Sequence, residues 1–121
     1  MNLGAGAVYA IGVYSQMHFI ETPIFTASVR RHLDDEAYRA LQLALVLRPE
    51  QGALLRGGEG LRKLRWGAEG RGKRGGVRTI YYWAVQDDVC FMLYMFAKNE
   101  QGDLTQKQLK ELARAVREEF K

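Results

Sequence analysis

Lys63, Arg65 and Arg78 are the residues of this chain whose types and spacing best suit chemistry on a phosphate. Side chains alternate along a strand, so Lys63 and Arg65 share one face of a predicted strand, and Leu64 and Trp66 share the other. Cations on one sheet face repel one another unless an anion lies between them. The pattern predicts a phosphate-binding surface, although charges that alternate with Leu and Trp are also typical of the solvated side of an antiparallel sheet.

The positive charge of the chain is concentrated around these residues. Residues 56–78 contain eight Lys or Arg and two acidic residues, a net charge of +6 in a chain whose formal net charge is +4. Concentrated charge of this kind is typical of proteins that bind nucleic acid. The eight cations are Arg56, Arg62, Lys63, Arg65, Arg71, Lys73, Arg74 and Arg78.

A glycine-rich loop, residues 67–76, separates the two basic strands. Gly67 to Lys73 fits the G-x-x-x-x-G-K spacing of a nucleotide-binding loop, but Arg74 replaces the Ser or Thr that would hold magnesium, and a strand follows instead of a helix. Eight of the thirteen glycines fall in residues 57–76, which favours close approach of the backbone to phosphates over a merely solvated loop.

Length and composition limit the remaining possibilities. A chain of 121 residues that is 47% hydrophobic predicts one small domain with one core. The single cysteine, Cys90, excludes an internal disulfide, so a reducing, cytoplasmic location fits. Cys90 lies in an apolar run, and we expect it to be a buried structural residue. Residues 1–16 are uncharged, too short to span a membrane and without the basic start of a secretory signal. We expect them to be an extension that need not be native, followed by a domain of residues 17–121.

Helical signals follow a short strand at residues 18–21. Thr22 and Pro23 are suited to the N-cap and first position of a helix that runs to about His32. Asp34 or Asp35 can cap a second helix, which Pro49 and Gly52 would end. Two helices packed as a hairpin are expected.

The second half of the chain predicts three strands and a helix. The strands cover residues 61–66, 77–84 and 89–97, with a turn at Asp87 and Asp88, and form an antiparallel meander. Thr105 and Gln108 form a capping box at the start of the last helix. The order β-α-α-β-β-β-α predicts an α+β domain with an antiparallel sheet and helices on one face.

Several segments of this sequence resemble the HigB-like toxins of the RelE/ParE superfamily. The resemblance covers nearly everything from Met17 onward and is strongest in the runs GEGLRKLRW at 58–66, GRGKRGG at 70–76, VRTIYY at 77–82, and AKNE at 97–100 before DLT at 103–105. It implies a RelE-like fold and a small basic endoribonuclease that enters the ribosomal A site and cuts translated mRNA. It also implies an antitoxin, usually one with a helix-turn-helix DNA-binding domain.

The resemblance also assigns roles to residues. Lys63 and Arg65 match the family's basic pair on the second strand, and Arg78 matches the arginine at the start of the third. We expect Lys63 to act as base towards the ribose 2′-OH and the two arginines to hold the scissile phosphate, with no metal or cofactor. The other cations expected to contact RNA backbone are Arg62, Arg71, Lys73, Arg74 and Lys98.

The general acid stays open. Lys98 lies near the family's final basic position, but Asn99 follows it where some members have arginine, and residues 104–121 contain no tyrosine. A gyrase-inhibiting toxin of the ParE type and a non-catalytic RNA-binding module remain alternatives. The antitoxin could lie over the basic strands or bind the helical side, and we favour the helical side.

Overall fold

The computed structural model describes residues 17–67 and 76–120, which form one α+β unit. Its elements in chain order are β1 (His18–Glu21), α1 (Pro23–His32), α2 (Asp35–Leu47), β2 (Ala53–Leu54), β3 (Arg62–Trp66), β4 (Val77–Ala84), β5 (Val89–Ala97) and α3 (Gln106–Glu119). The α+β class is confirmed. Predictions for residues 1–16 and for Arg71, Lys73 and Arg74 lie outside the described residues.

Side-chain caps fix the starts of the helices. The Thr22 hydroxyl accepts a hydrogen bond from the Phe25 backbone N–H at 3.0 Å, with Pro23 in the first turn. The Asp34 carboxylate accepts one from Ala37 at 2.7 Å, so Asp34 and not Asp35 caps α2. The described chain contains no helix with the length and apolar character needed to cross a bilayer.

The five strands form a mixed sheet in the order β1-β5-β4-β3-β2. Strands β3, β4 and β5 pair antiparallel, as expected, but β1 pairs in parallel with β5, with His18 opposite Val89 and Glu21 opposite Met92. Parallel strands need a long connection, and here α1 and α2 carry the chain from β1 to the opposite edge, from which β2, β3 and β4 lead back to β5. The two-residue β2, which the sequence did not predict, extends the other edge beside β3.

Helices cover both faces of the sheet, whereas the sequence led us to expect one covered face. The α1 and α2 helices pack on the face that carries Tyr81 and Met92. Helix α3 packs on the opposite face, against Ile80, Phe91 and Leu93. Strand β5 is apolar on both sides, so each side needs a cover to keep it from water. We call these two surfaces the α1–α2 face and the α3 face.

Candidate active site

The β3–β4 register brings the three predicted catalytic residues to the α3 face. Lys63 lies opposite Ile80 and Arg65 lies opposite Arg78, and directly opposed residues share a sheet face. Because Ile80 belongs to the core beneath α3, Lys63, Arg65 and Arg78 all point to that side. Arg78 is a diagonal neighbour of Lys63, at a separation of about 7–8 Å that a side chain of this length can span.

Arg78 is a buried cation with an unused donor. Only 6% of the residue is exposed, and its other cross-strand neighbour, Phe96, is buried in the apolar cluster beneath α3. Its Nη1 atom has no hydrogen-bond partner among the described residues. A buried donor left unpaired costs about 1–3 kcal/mol, and more when it is charged. An anion bound beside Arg78 would supply the acceptor that Nη1 lacks among the described residues.

Lys63 forms an ion pair that the sequence did not predict. Its Nζ atom lies 3.1 Å from Oδ1 of Asp103, a residue 40 positions away in the chain. The same oxygen accepts a hydrogen bond from the Leu104 backbone N–H at 2.8 Å. The Leu104 N–H holds the pKa of Asp103 below its usual range, and the charges of Lys63 and Arg78 lower it further. Asp103 thus lies in the field of Lys63 and Arg78, two of the three candidate catalytic cations.

The segment between β5 and α3 holds Asp103 in place. The Gln101 side-chain amide donates to the Asp103 carbonyl at 2.7 Å and to the Gln108 side chain at 3.0 Å, inside the confirmed capping box of α3. The Tyr94 hydroxyl donates to Gln101 Oε1 at 3.1 Å. Tyr94 lies in the same cross-strand row as Lys63, two strands away, and its hydroxyl orders this segment.

Of the predicted RNA-binding residues that the structure describes, Arg62 lies away from the catalytic set and Lys98 lies near it. Arg62 points to the α1–α2 face, opposite Tyr81, and its Nη1 atom donates to the carbonyls of Glu50 and Gly52, each at 2.8 Å. Its guanidinium therefore fastens the chain before β2. Lys98 is exposed directly after β5, two residues beyond Phe96, the strand partner of Arg78. Lys98 is thus at the same end of the sheet as Arg78.

One glycine of the glycine-rich loop has a packing reason. A Cβ atom at Gly76 would lie 2.3 Å from the Trp66 carbonyl oxygen, closer than two such atoms can approach. Glycine lets the start of β4 meet the end of β3, so this position needs no phosphate to explain it.

Cys90 takes no part in this site. Cys90 is fully buried on the α1–α2 face, and burial raises the pKa of its thiol, which agrees with a structural role. Within residues 17–67 and 76–120, no three His, Cys, Asp or Glu side chains gather where they could hold a metal ion.

Comparison with known protein families identifies the family of this chain. A family model described as the RelE toxin of the RelE / RelB toxin-antitoxin system matches residues 22–120. The chain belongs to this family. It is a toxin of a toxin–antitoxin system, and its partner is an antitoxin. The resemblance noted in the sequence is confirmed at this level, and the HigB-like subtype stays a prediction.

Proposed function

We propose that this toxin is an endoribonuclease that cuts mRNA in the ribosomal A site and so inhibits translation. The observation that carries the proposal is Arg78, a buried guanidinium on the same sheet face as Lys63 and Arg65, whose Nη1 has no hydrogen-bond partner among residues 17–67 and 76–120. A bound phosphate would supply the missing acceptor and offset the repulsion between Arg65 and Arg78.

RNA provides its own nucleophile, which suits a site built from cations. The ribose 2′-OH attacks the adjacent phosphorus, and a base takes the hydroxyl proton. The bond from phosphorus to the 5′ oxygen breaks, leaving a 2′,3′-cyclic phosphate and a 5′-hydroxyl once that oxygen is protonated. Arg78 and Arg65 would stabilise the extra negative charge on the phosphate, which is greatest in the transition state.

Lys63 is the proposed base. An amine accepts a proton only in its neutral form, and the structure shows Lys63 paired with the carboxylate of Asp103. The pair must therefore separate before Lys63 can act. The variant Lys63→Arg keeps the charge but cannot serve as a base, because arginine stays protonated in proteins. We expect it to be as inactive as Lys63→Ala, and full activity in Lys63→Arg would assign Lys63 to electrostatic stabilisation instead.

RNA cleavage in a translation extract separates this proposal from its alternatives. We expect the wild-type toxin to cut translated mRNA at defined codons, and Lys63→Ala and Arg78→Met to leave it intact. Inhibition of gyrase without RNA cleavage would favour the ParE-type alternative. RNA binding without cleavage would favour a non-catalytic binding module. A translation-dependent cut that needs both residues supports the nuclease.

We further propose that the antitoxin, expected to carry a helix-turn-helix domain, binds the α1–α2 side. Helices α1 and α2 leave Ile24, Leu43 and Leu47 exposed, and apolar residues of this kind suit a permanent partner. The α3 face would then stay open. An uncleavable 2′-O-methyl RNA should still bind the toxin–antitoxin complex, and complete loss of that binding would place the antitoxin over Lys63 and Arg78.

A further inference from the structure

In the ion pair between Lys63 and Asp103, the carboxylate occupies the position beside Lys63 that an RNA phosphate would take. Asp103 is the one described carboxylate within 4.0 Å of the Lys63 amino group, at 3.1 Å. Its side chain is 61% exposed, so it can turn into solvent without rearrangement of the core. Lys63 is only 24% exposed, which leaves its amino group less freedom to move away.

We propose that Asp103 acts as a built-in competitor for RNA: its carboxylate occupies Lys63 in the free toxin, and an RNA phosphate displaces it. This inference rests on the proposed function. Asp103 is a positioning residue in this scheme because it acts through Lys63. It holds the long lysine side chain towards the α3 face and lowers the net affinity of that face for phosphate.

The surrounding contacts favour displacement over a permanent bridge. The Gln101 side-chain amide bonds the Asp103 carbonyl, and the Leu104 N–H donates to the carboxylate oxygen that pairs with Lys63. Only the side chain has to turn. An exposed ion pair contributes little free energy, so a phosphate that also bonds Arg78 can replace it.

The central experiment is a double-mutant cycle on RNA affinity. Asp103→Asn keeps an oxygen that can accept the Leu104 N–H and removes only the charge. We expect this variant to bind a single-stranded 2′-O-methyl RNA about two- to fivefold more tightly, the range that exposed ion pairs contribute. In a Lys63→Ala background, Asp103→Asn should not change RNA affinity, because the Asp103 carboxylate then has no Lys63 amino group to pair with.

Control variants separate this role from a structural one. Asp103→Glu keeps the charge and should bind RNA within twofold of wild type. Glu100→Gln removes a charge from the same segment, but Glu100 pairs with Arg31 and His32, so RNA affinity should not rise. In the cleavage reaction, Asp103→Asn should lower KM with little change in kcat. Unchanged or weaker binding by Asp103→Asn, or an equal gain in the Lys63→Ala background, would overturn the proposal.

Carbon-detected NMR of the Asp103 carboxyl group gives a test that does not depend on cleavage. Both Lys63→Ala and added inorganic phosphate should raise the pKa of Asp103 towards its usual range, since each removes Lys63 from the carboxylate. If RNA binds more tightly to Asp103→Asn and shifts the Asp103 signal but is not cut, the nuclease proposal fails and the competitor role stands. If RNA binds and is cut while the Asp103 signal stays unchanged, the competitor role fails alone.

Discussion

Replacing Arg78 with methionine should make this protein more stable and less active at once. Methionine fills much of the same volume without a charge, so Arg78→Met removes a buried donor that has no partner among the described residues. The relief of that unpaired group is worth about 1–3 kcal/mol. It also ends the repulsion with Arg65 directly opposite on β3. We expect the free energy of unfolding to rise by this amount and Tm to rise by several degrees.

The same change should abolish most of the catalysis. Loss of one donor that stabilises a transition-state anion lowers kcat by about 10²- to 10³-fold. The assays are thermal unfolding and cleavage of ribosome-bound mRNA on the same preparation. Arg65→Met is the matched control for stability, because Arg65 is exposed and its removal should change the free energy of unfolding by no more than about 0.5 kcal/mol. An Arg78→Met variant that is less stable than wild type would show that the arginine supports the fold, and a stable variant with full activity would remove it from the site.

Four further outcomes follow from the same structure. Lys63→Ala should lower cleavage by about 10²- to 10⁴-fold, measured as single-turnover rates, and a smaller loss would argue against its role as base. Neutralising the three cations of the glycine-rich loop should reduce the slope of log affinity for RNA against log salt concentration by about 0.7 for each lost phosphate contact. An unchanged slope would show that the loop does not contact RNA. Cys90 should resist thiol reagents at pH 8 until the protein unfolds, because it is fully buried, and rapid labelling of native protein would contradict this. Burial raises the pKa of Tyr81 from 10.0 to about 12. The stability that its neutral hydroxyl contributes is therefore complete below pH 10 and is lost as the pH rises through 12. In alkaline unfolding measurements, Tyr81→Phe should not show this loss.

The local structure of this chain could be predicted because its signals are local. Thr22 caps α1, and Thr105 with Gln108 caps α3, since each cap depends on residues within four positions. Alternation along β3 placed Lys63 and Arg65 on one face, as the structure confirms. These patterns need no knowledge of distant neighbours.

The missed features depend on contacts far apart in the chain. Pairing of β1 with β5 joins segments about 70 residues apart. Alternation of side chains within a strand does not predict which other strand it pairs with. The same limit hid the position of α3, because its apolar stripe fits either face of a sheet in which the inner strand β5 is apolar on both sides. The Lys63–Asp103 pair and the burial of Arg78 follow from the position of α3. The residue types at the site were therefore predictable, while their ionic partners were not.

Cleavage of a translated mRNA with a single altered ribose tests the proposed chemistry most directly. The mRNA would carry a 2′-deoxy nucleotide at the position on the 5′ side of the mapped cut, and an all-ribose mRNA of the same sequence would be the control. If the 2′-OH is the nucleophile at the Lys63–Arg78 site, the control is cut to a 2′,3′-cyclic phosphate and a 5′-hydroxyl, and the deoxy mRNA stays intact at that codon. Cleavage of the deoxy mRNA at the same place, or a product with a 5′-phosphate, would contradict the mechanism.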